Sequence, residues 1–150
     1  MKHEDAQPIA QDFLDRQGEA TIAGDVDATL EWCDIPCTLE SMEGRAVAKN
    51  ETEMRAICLS FINGLKGNRF THMVRKVQEA IFKDEDTIWA TYETRYVQNG
   101  NFLPEEPYVG FVILKRKDDR WKISTMQFAV SSNSLANVTL RDWASGRQES

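Results

Sequence analysis

Residues 23–50, AGDVDATLEWCDIPCTLESMEGRAVAKN, constrain the fold more than any other stretch of this chain. A helical pattern stops at Gly24. Asp25 then offers a side-chain oxygen to cap a short second helix. That helix runs out near Pro36, an extended segment covers 37–42, and Glu43-Gly44 supplies a turn. The order is long helix, Gly-Asp, short helix, strand, turn, strand.

The flanking sequence extends this order. A first helix is expected from 8 to 23, with Pro8 in its first turn and Ile9, Phe13, Gln17 and Ala20 on one face. Gly18 is an oddity there, since glycine costs about 1 kcal/mol against alanine in a helix interior. Asn50 or Thr52 can cap a third helix reaching Lys66. Glu51 and Glu53 suit its positive end, and Met54, Ile57, Cys58, Phe61, Ile62 and Leu65 form an apolar stripe. Beyond Gly67-Asn68 the period changes to that of strands. Residues 71–83, 87–98, 108–117 and 120–130 are β-rich and separated by turn residues. Helices first and an antiparallel run afterwards read as α+β.

At 150 residues the chain is expected to hold one domain, 1–130, with residues 131–150 as a tail docking on that domain or on a partner subunit. The net charge of −6 argues against nucleic acid as a partner. No apolar run approaches the ~20 residues of a membrane span, and residues 1–11 lack a signal-type apolar core; the expected location is cytoplasmic. Three cysteines are an odd count that predicts no disulfide framework. Cys33 and Cys37 have no histidine beside them to complete a zinc site. They read as small buried thiols, and neither a metal nor a cofactor is expected.

The 23–50 segment, together with Arg120-Trp121-Lys122-Ile123 in the last strand, resembles the nuclear transport factor 2-like superfamily, also called SnoaL-like or cystatin-like. The resemblance covers residues 6 to 130. It implies a cone: N-terminal helices packed on a strongly bent, mostly antiparallel sheet, enclosing a pocket. It also implies that members commonly form homodimers through the convex sheet face. It leaves activity open, since isomerases, dehydratases, hydrolases and binders without chemistry share the fold.

Strand pairing narrows the choice of site residues. If 83–86 form a hairpin loop, Phe82 pairs with Thr87, and Lys76 falls opposite Glu93 as an opposite-charge pair. Arg75, Glu79, Tyr92, Thr94 and Tyr96 then share the more apolar face, expected to be concave. His72, Glu93 and Arg95 lie on the other. A bulge would invert part of this assignment. In the last hairpin Trp121, Ile123, Thr125 and Gln127 share one face; Phe111, Ile113, Met126 and Phe128 share the opposite one. Both are apolar, so something must cover the outer one, either a second copy or the tail.

Trp32, Cys37, Leu39 and Ser41 are expected to face the pocket from the first strand region. Ketosteroid isomerase-like members carry a carboxylate base there. Here Ser41 takes the inward place and Glu40 points out. Arg75, Glu79 and Tyr92 are the candidate catalytic set, with His72 as the alternative. An inward Arg75 needs a carboxylate partner, either Glu79 or one from the first helix. Trp32, Ser41, Tyr92, Thr94, Tyr96, Thr125 and Gln127 are the candidate ligand contacts. The expected function is binding of a small, largely apolar organic molecule, with cofactor-free isomerase, dehydratase or hydrolase chemistry where a tuned acid or base is present. The alternative is a non-catalytic ligand-binding or protein-interaction module.

Overall fold

The structure is a computed structural model that describes residues 6–41, 44–98, 100–102 and 108–129; for Phe102, Phe128 and Ala129 it describes the backbone. The elements are α1 (Ala6–Ile22), α2 (Val26–Glu31), β1 (Cys33–Ser41), β2 (Gly44–Ala48), α3 (Glu51–Gly67), β3 (Phe70–Asp84), β4 (Thr87–Gln98), β5 (Asn101–Phe102), β6 (Tyr108–Lys117) and β7 (Arg120–Ala129). The order along the sheet is β2-β1-β7-β6-β4-β3, with β5 paired to β4. β1 and β7 run parallel; the other pairs are antiparallel. The helices pack on one face of this mixed sheet, as the α+β reading requires. The expected tail at 131–150 lies outside the described residues.

Local chemistry sets the helix starts. The Asp25 carboxylate accepts from Ala28 N–H at 3.0 Å. The Asn50 side chain accepts from Glu53 N–H at 2.9 Å, while the Glu53 carboxylate accepts from Lys49 N–H at 2.8 Å. The Glu53 amide in the first turn of α3 is thus covered by the cap, and its side chain in turn ties down the residue before the cap. α1 lies along β3, the sheet's last strand. Its Gln11 donates to Arg75 C=O at 2.7 Å and accepts from Val77 N–H at 2.8 Å. A single amide therefore covers two groups of a strand edge that would otherwise stand open.

Two bulges decide which side chains face inward. In β3, Val77 pairs with Tyr92 but Glu79 pairs with Thr91, so Gln78 is extra. Val77 and Phe82 are buried, and Glu79 and Ile81 turn to solvent. In β7, Ile123 pairs with Leu114 but Thr125 pairs with Ile113, so Ser124 is extra. Ile123 and Met126 both face the core, whereas Gln127 is exposed. Each bulge adds one residue and reverses the alternation beyond it.

The hairpin itself is tighter than expected: Asp84, not Phe82, pairs with Thr87. Register shifts between Phe82 and Asp84 and at Gln78 absorb the difference, and Lys76 does pair with Glu93. Arg75, Tyr92, Thr94 and Tyr96 are accordingly buried.

The outer sheet face keeps much of its apolar character. Ile81, Trp89, Ile113 and Thr125 form one cross-strand row. Trp89 meets Phe111 edge-on, with ring centroids 5.6 Å apart. Val74, Ile81, Trp89 and Val109 are each 39–43% exposed. Met126, expected on this face, belongs to the core because of the Ser124 bulge. The Phe128 side chain lies outside the described residues. Trp121 lies half-buried on the core side of β7, packed against Phe82 and the hydrophobic core, with Arg116 stacked over its ring.

Candidate functional site

Between the helices and the sheet lies a cavity of about 90 Å3. That is several times the ~10–15 Å3 one water requires. α1 contributes Gln17 and Thr21, and α2 contributes Thr29. β1 supplies Cys33, Cys37 and Leu39, and α3 supplies Met54, Ile57, Cys58 and Phe61. The sheet side is Met73, Arg75, Tyr92, Thr94, Tyr108, Ile123 and Met126. No Asp, Glu or His is among these lining residues.

Among the described lining residues the Arg75 guanidinium is the one cationic group, and it is 6% exposed. Its Nη2 donates to Leu14 C=O at 2.6 Å and to the Gln17 side-chain oxygen. Its Nε finds no acceptor. Among the described residues no carboxylate forms an ion pair with it. Burial weakens its hold on its proton, and the neighbouring tyrosines oppose that effect. Gly18 explains its own place in α1: a Cβ there would sit 3.1 Å from Arg75 Nη2. The missing side chain lets the guanidinium reach the helix backbone.

Three tyrosines gather beside this cation. Tyr92 is 1% exposed, and its hydroxyl has no hydrogen-bond partner. It lies across Gly110, its β6 pairing partner. The Tyr96 and Tyr108 hydroxyls are 2.7 Å apart, and the Tyr96 ring stacks on Phe70 at 4.8 Å. Burial pushes the Tyr92 and Tyr108 phenols well above their ordinary range and Tyr96 up to about 12.

On the far wall the three thiols differ. Burial pushes Cys37 up to about 12. Cys33 Sγ donates to Thr29 C=O at 3.7 Å; the neighbouring Cys58 raises Cys33, where burial adds to the effect, and Cys33 lowers Cys58 against the opposing effect of burial. Among the described residues, no group of three or more His, Cys, Asp or Glu side chains is placed to hold a metal ion.

An α-helical layer over a bent sheet, with a cavity between them, is an architecture other proteins share. A domain of unknown function with a cystatin-like fold from Nostoc punctiforme superimposes with TM-score 0.66 at 13% identity, covering 99% of this chain and 94% of that one. This is the nuclear transport factor 2-like fold. An NTF-2 like protein of unknown function from Shewanella oneidensis matches with TM-score 0.59 at 17% identity, over 79% of this chain and 94% of that one. A ketosteroid isomerase-like protein from Erwinia carotovora atroseptica matches with TM-score 0.61 at 15% identity, over 82% and 94%. At such identities the likeness concerns the fold alone. No family model matches the sequence, and no curated protein matches it.

Within this nuclear transport factor 2-like frame, Arg75, Tyr92 and Thr94 meet at the cavity as the pairing argument expects, with Cys37 and Leu39 opposite. The remaining candidates do not reach it. Glu79 is exposed, because Gln78 bulges and turns it outward; Gln17 and Leu14 C=O take its expected place at Arg75. His72 is exposed, and its Nδ1 lies 3.0 Å from the Thr71 hydroxyl. Tyr96 is buried behind Tyr108 rather than at the wall. Trp32 ends α2, packs edge-on against Phe13 at 5.1 Å and carries Arg120 over its ring. Ser41 lies at the far end of β1, beyond the cavity residues Cys37 and Leu39. Thr125 and Gln127 face outward past the Ser124 bulge, and Gln127 donates to Glu40 at 2.9 Å.

Sequence reasoning missed Tyr108, Gln17 and the thiol pair as site residues. Tyr108 was findable: it pairs with Thr94 across β4 and β6, and applying the alternation argument to that strand pair places both on one face. Nothing in the spacing of Cys33 and Cys58 brings them together; the packing of α3 on β1 does.

Proposed function

We propose that the cavity binds a small organic molecule with an apolar body and an anionic oxygen head, a short carboxylate being the simplest case. One observation carries this reading. Arg75, whose Nε is unused, and Tyr92, whose hydroxyl is unpartnered, line a cavity whose other walls are largely thiol, thioether and hydrocarbon. A buried cation without a counter-charge is costly, and a ligand carboxylate would supply one through charge-assisted hydrogen bonds. Among the described lining residues there is no Asp, Glu or His, and the acid–base chemistry of an isomerase or dehydratase needs such a group within reach of its substrate; binding is therefore the reading favoured.

Hexanoate serves as a probe, with protein NMR shifts reading occupancy. Arg75→Met is expected to weaken hexanoate at least about tenfold, since hydrogen bonds to charged groups contribute ~1.5–3 kcal/mol. The fold should survive, because replacing a poorly paired buried charge by an apolar chain of similar length is often neutral. Equal affinity for hexanoate and 1-hexanol in the wild-type protein would reject the reading.

We also infer that the outer sheet face pairs with a second copy of the chain. The row of Ile81, Trp89 and Ile113, flanked by Phe111 and Val109, supports this, since contiguous apolar patches of this kind mark association surfaces. Light scattering at micromolar concentration should return twice the chain mass. Trp89→Glu should return the single-chain mass with unchanged circular dichroism. A wild-type monomer would reject the dimer.

A further inference from the structure

We infer that the ligand of this cavity is an aryl carboxylate with a single ring, and that the methionine thioethers select the ring. The carboxylate rests on the reading above, in which a ligand anion meets Arg75; the ring is a separate matter. Every cysteine and methionine among the described residues lines this one cavity: Cys33, Cys37, Met54, Cys58, Met73 and Met126. The rest of the hydrophobic core is alanine, valine, leucine, isoleucine and aromatic rings. Methionine used as an ordinary gap filler would be scattered through that core. Here it occurs only where the packing leaves space.

The thioethers come from three directions. Met54 stands on α3, Met73 on β3 and Met126 on β7. Met126 pairs with Leu39 of β1, the strand that carries Cys33 and Cys37, and α3 packs against that strand. β4 and β6 separate β7 from β3, the strand of Arg75. A ligand head on Arg75 therefore lays its body toward a far end built of sulfur and hydrocarbon. Met73 stands two residues from Arg75, and its Cε lies 3.7 Å from where a Cβ on Gly18 would sit. Sulfur thus accompanies the body along its length.

A thioether is polarisable and makes favourable contacts with an aromatic ring that a saturated ring does not offer. Its three rotatable bonds also let the wall close on a flat body. Leucine or isoleucine would suit an alkyl body equally and hold a firmer shape. The volume limits the ring count. A cavity of about 90 Å3 has room for roughly six to nine water-sized groups. That is one ring with its carboxylate, and a fused pair is too large.

The test titrates the full chain, isotope-labelled in its methionine methyls, with benzoate and with cyclohexanecarboxylate, its saturated counterpart. Benzoate is expected to bind about fivefold tighter, the effect of two thioether–ring contacts. Its ring current should shift the Met54 and Met126 methyl signals, and its ring protons should show nuclear Overhauser effects to both. Met54→Leu and Met126→Leu assign the two signals. Replacing the methionines by norleucine exchanges each sulfur for a methylene at nearly constant volume. The preference for benzoate should then fall toward parity, with the melting temperature as the check on folding. Equal affinity of the wild-type chain for the two carboxylates, a preference that survives in the norleucine protein, or the absence of ring-to-methionine effects would each overturn the inference. Naphthoate binding as tightly as benzoate would overturn the single ring. The anion reading fails separately. Hexanoate binding with no preference for benzoate over cyclohexanecarboxylate removes the ring alone. Benzyl alcohol binding as tightly as benzoate, with the ring-to-methionine effects intact, removes the carboxylate and leaves the thioethers as the seat of the ring.

Discussion

Raising the pH from 10 to 12 is expected to unfold the protein, with tyrosinate absorbance and loss of circular dichroism appearing in one step. The chain has three tyrosines, Tyr92, Tyr96 and Tyr108, and all three sit in the cluster beside Arg75. Burial raises each of them, Tyr96 to about 12. The fold therefore favours the neutral phenols, while the unfolded chain ionises near the ordinary value of about 10. Stability is fully present below pH 10 and falls as pH climbs through the window up to the folded values. Each tyrosine neutral in the fold and ionised in the unfolded chain removes about 1.4 kcal/mol per pH unit. Three acting together remove up to about 4 kcal/mol per unit, against a total stability on the order of 5–15 kcal/mol. Cys37, also raised to about 12 by burial, starts to subtract at a lower pH than the tyrosines do. Cys58 works in the opposite sense, because its lowered value favours the thiolate in the fold. A tyrosinate signal near pH 10 with the circular dichroism intact would mean that the cluster is open to solvent.

The same tyrosines show how far this fold is legible in its sequence. The helix order is legible because caps and stops are local: Gly24, Asp25 and Asn50 act within four residues of themselves. The Lys76–Glu93 pairing is legible because a hairpin brings neighbours in sequence together. The bulges are not. Gln78 and Ser124 carry no turn chemistry, and their positions answer to packing across the sheet. One such residue is enough to move Glu79, Thr125 and Gln127 out of the site and Met126 into it. The candidates that kept their place, Arg75, Tyr92 and Thr94, lie between the bulge and the open end of the β3–β4 hairpin. The thiol pair lies beyond such reasoning altogether, since a helix and a strand bring it together from 25 residues apart.

Gly110 joins the fold to the site, and Gly110→Ala is expected to destabilise the protein by about 1–3 kcal/mol or more, the cost of overpacking a core. Elsewhere in a strand this substitution stabilises by roughly 0.5–1 kcal/mol, because glycine loses more conformational freedom on folding. The sign reverses here for steric reasons. A Cβ at Gly110 would fall 2.5 Å from Tyr92 Cζ and 2.7 Å from its hydroxyl oxygen. Relief would need the whole ring to move, since the atoms met are Cζ, the hydroxyl oxygen and Cε2 of a side chain that is 1% exposed. Movement of the ring would displace the hydroxyl, so the variant should also lose hexanoate. A double-mutant cycle isolates the contact. Tyr92→Leu shortens the side chain and removes the atoms that clash, so Gly110→Ala in the Tyr92→Leu background should cost far less than in the wild type, or even stabilise. Chemical denaturation midpoints of the four proteins decide it. If the two substitutions are additive, the close approach of Gly110 to Tyr92 does not limit the packing, and the tyrosine hydroxyl is free to settle elsewhere than over the cavity.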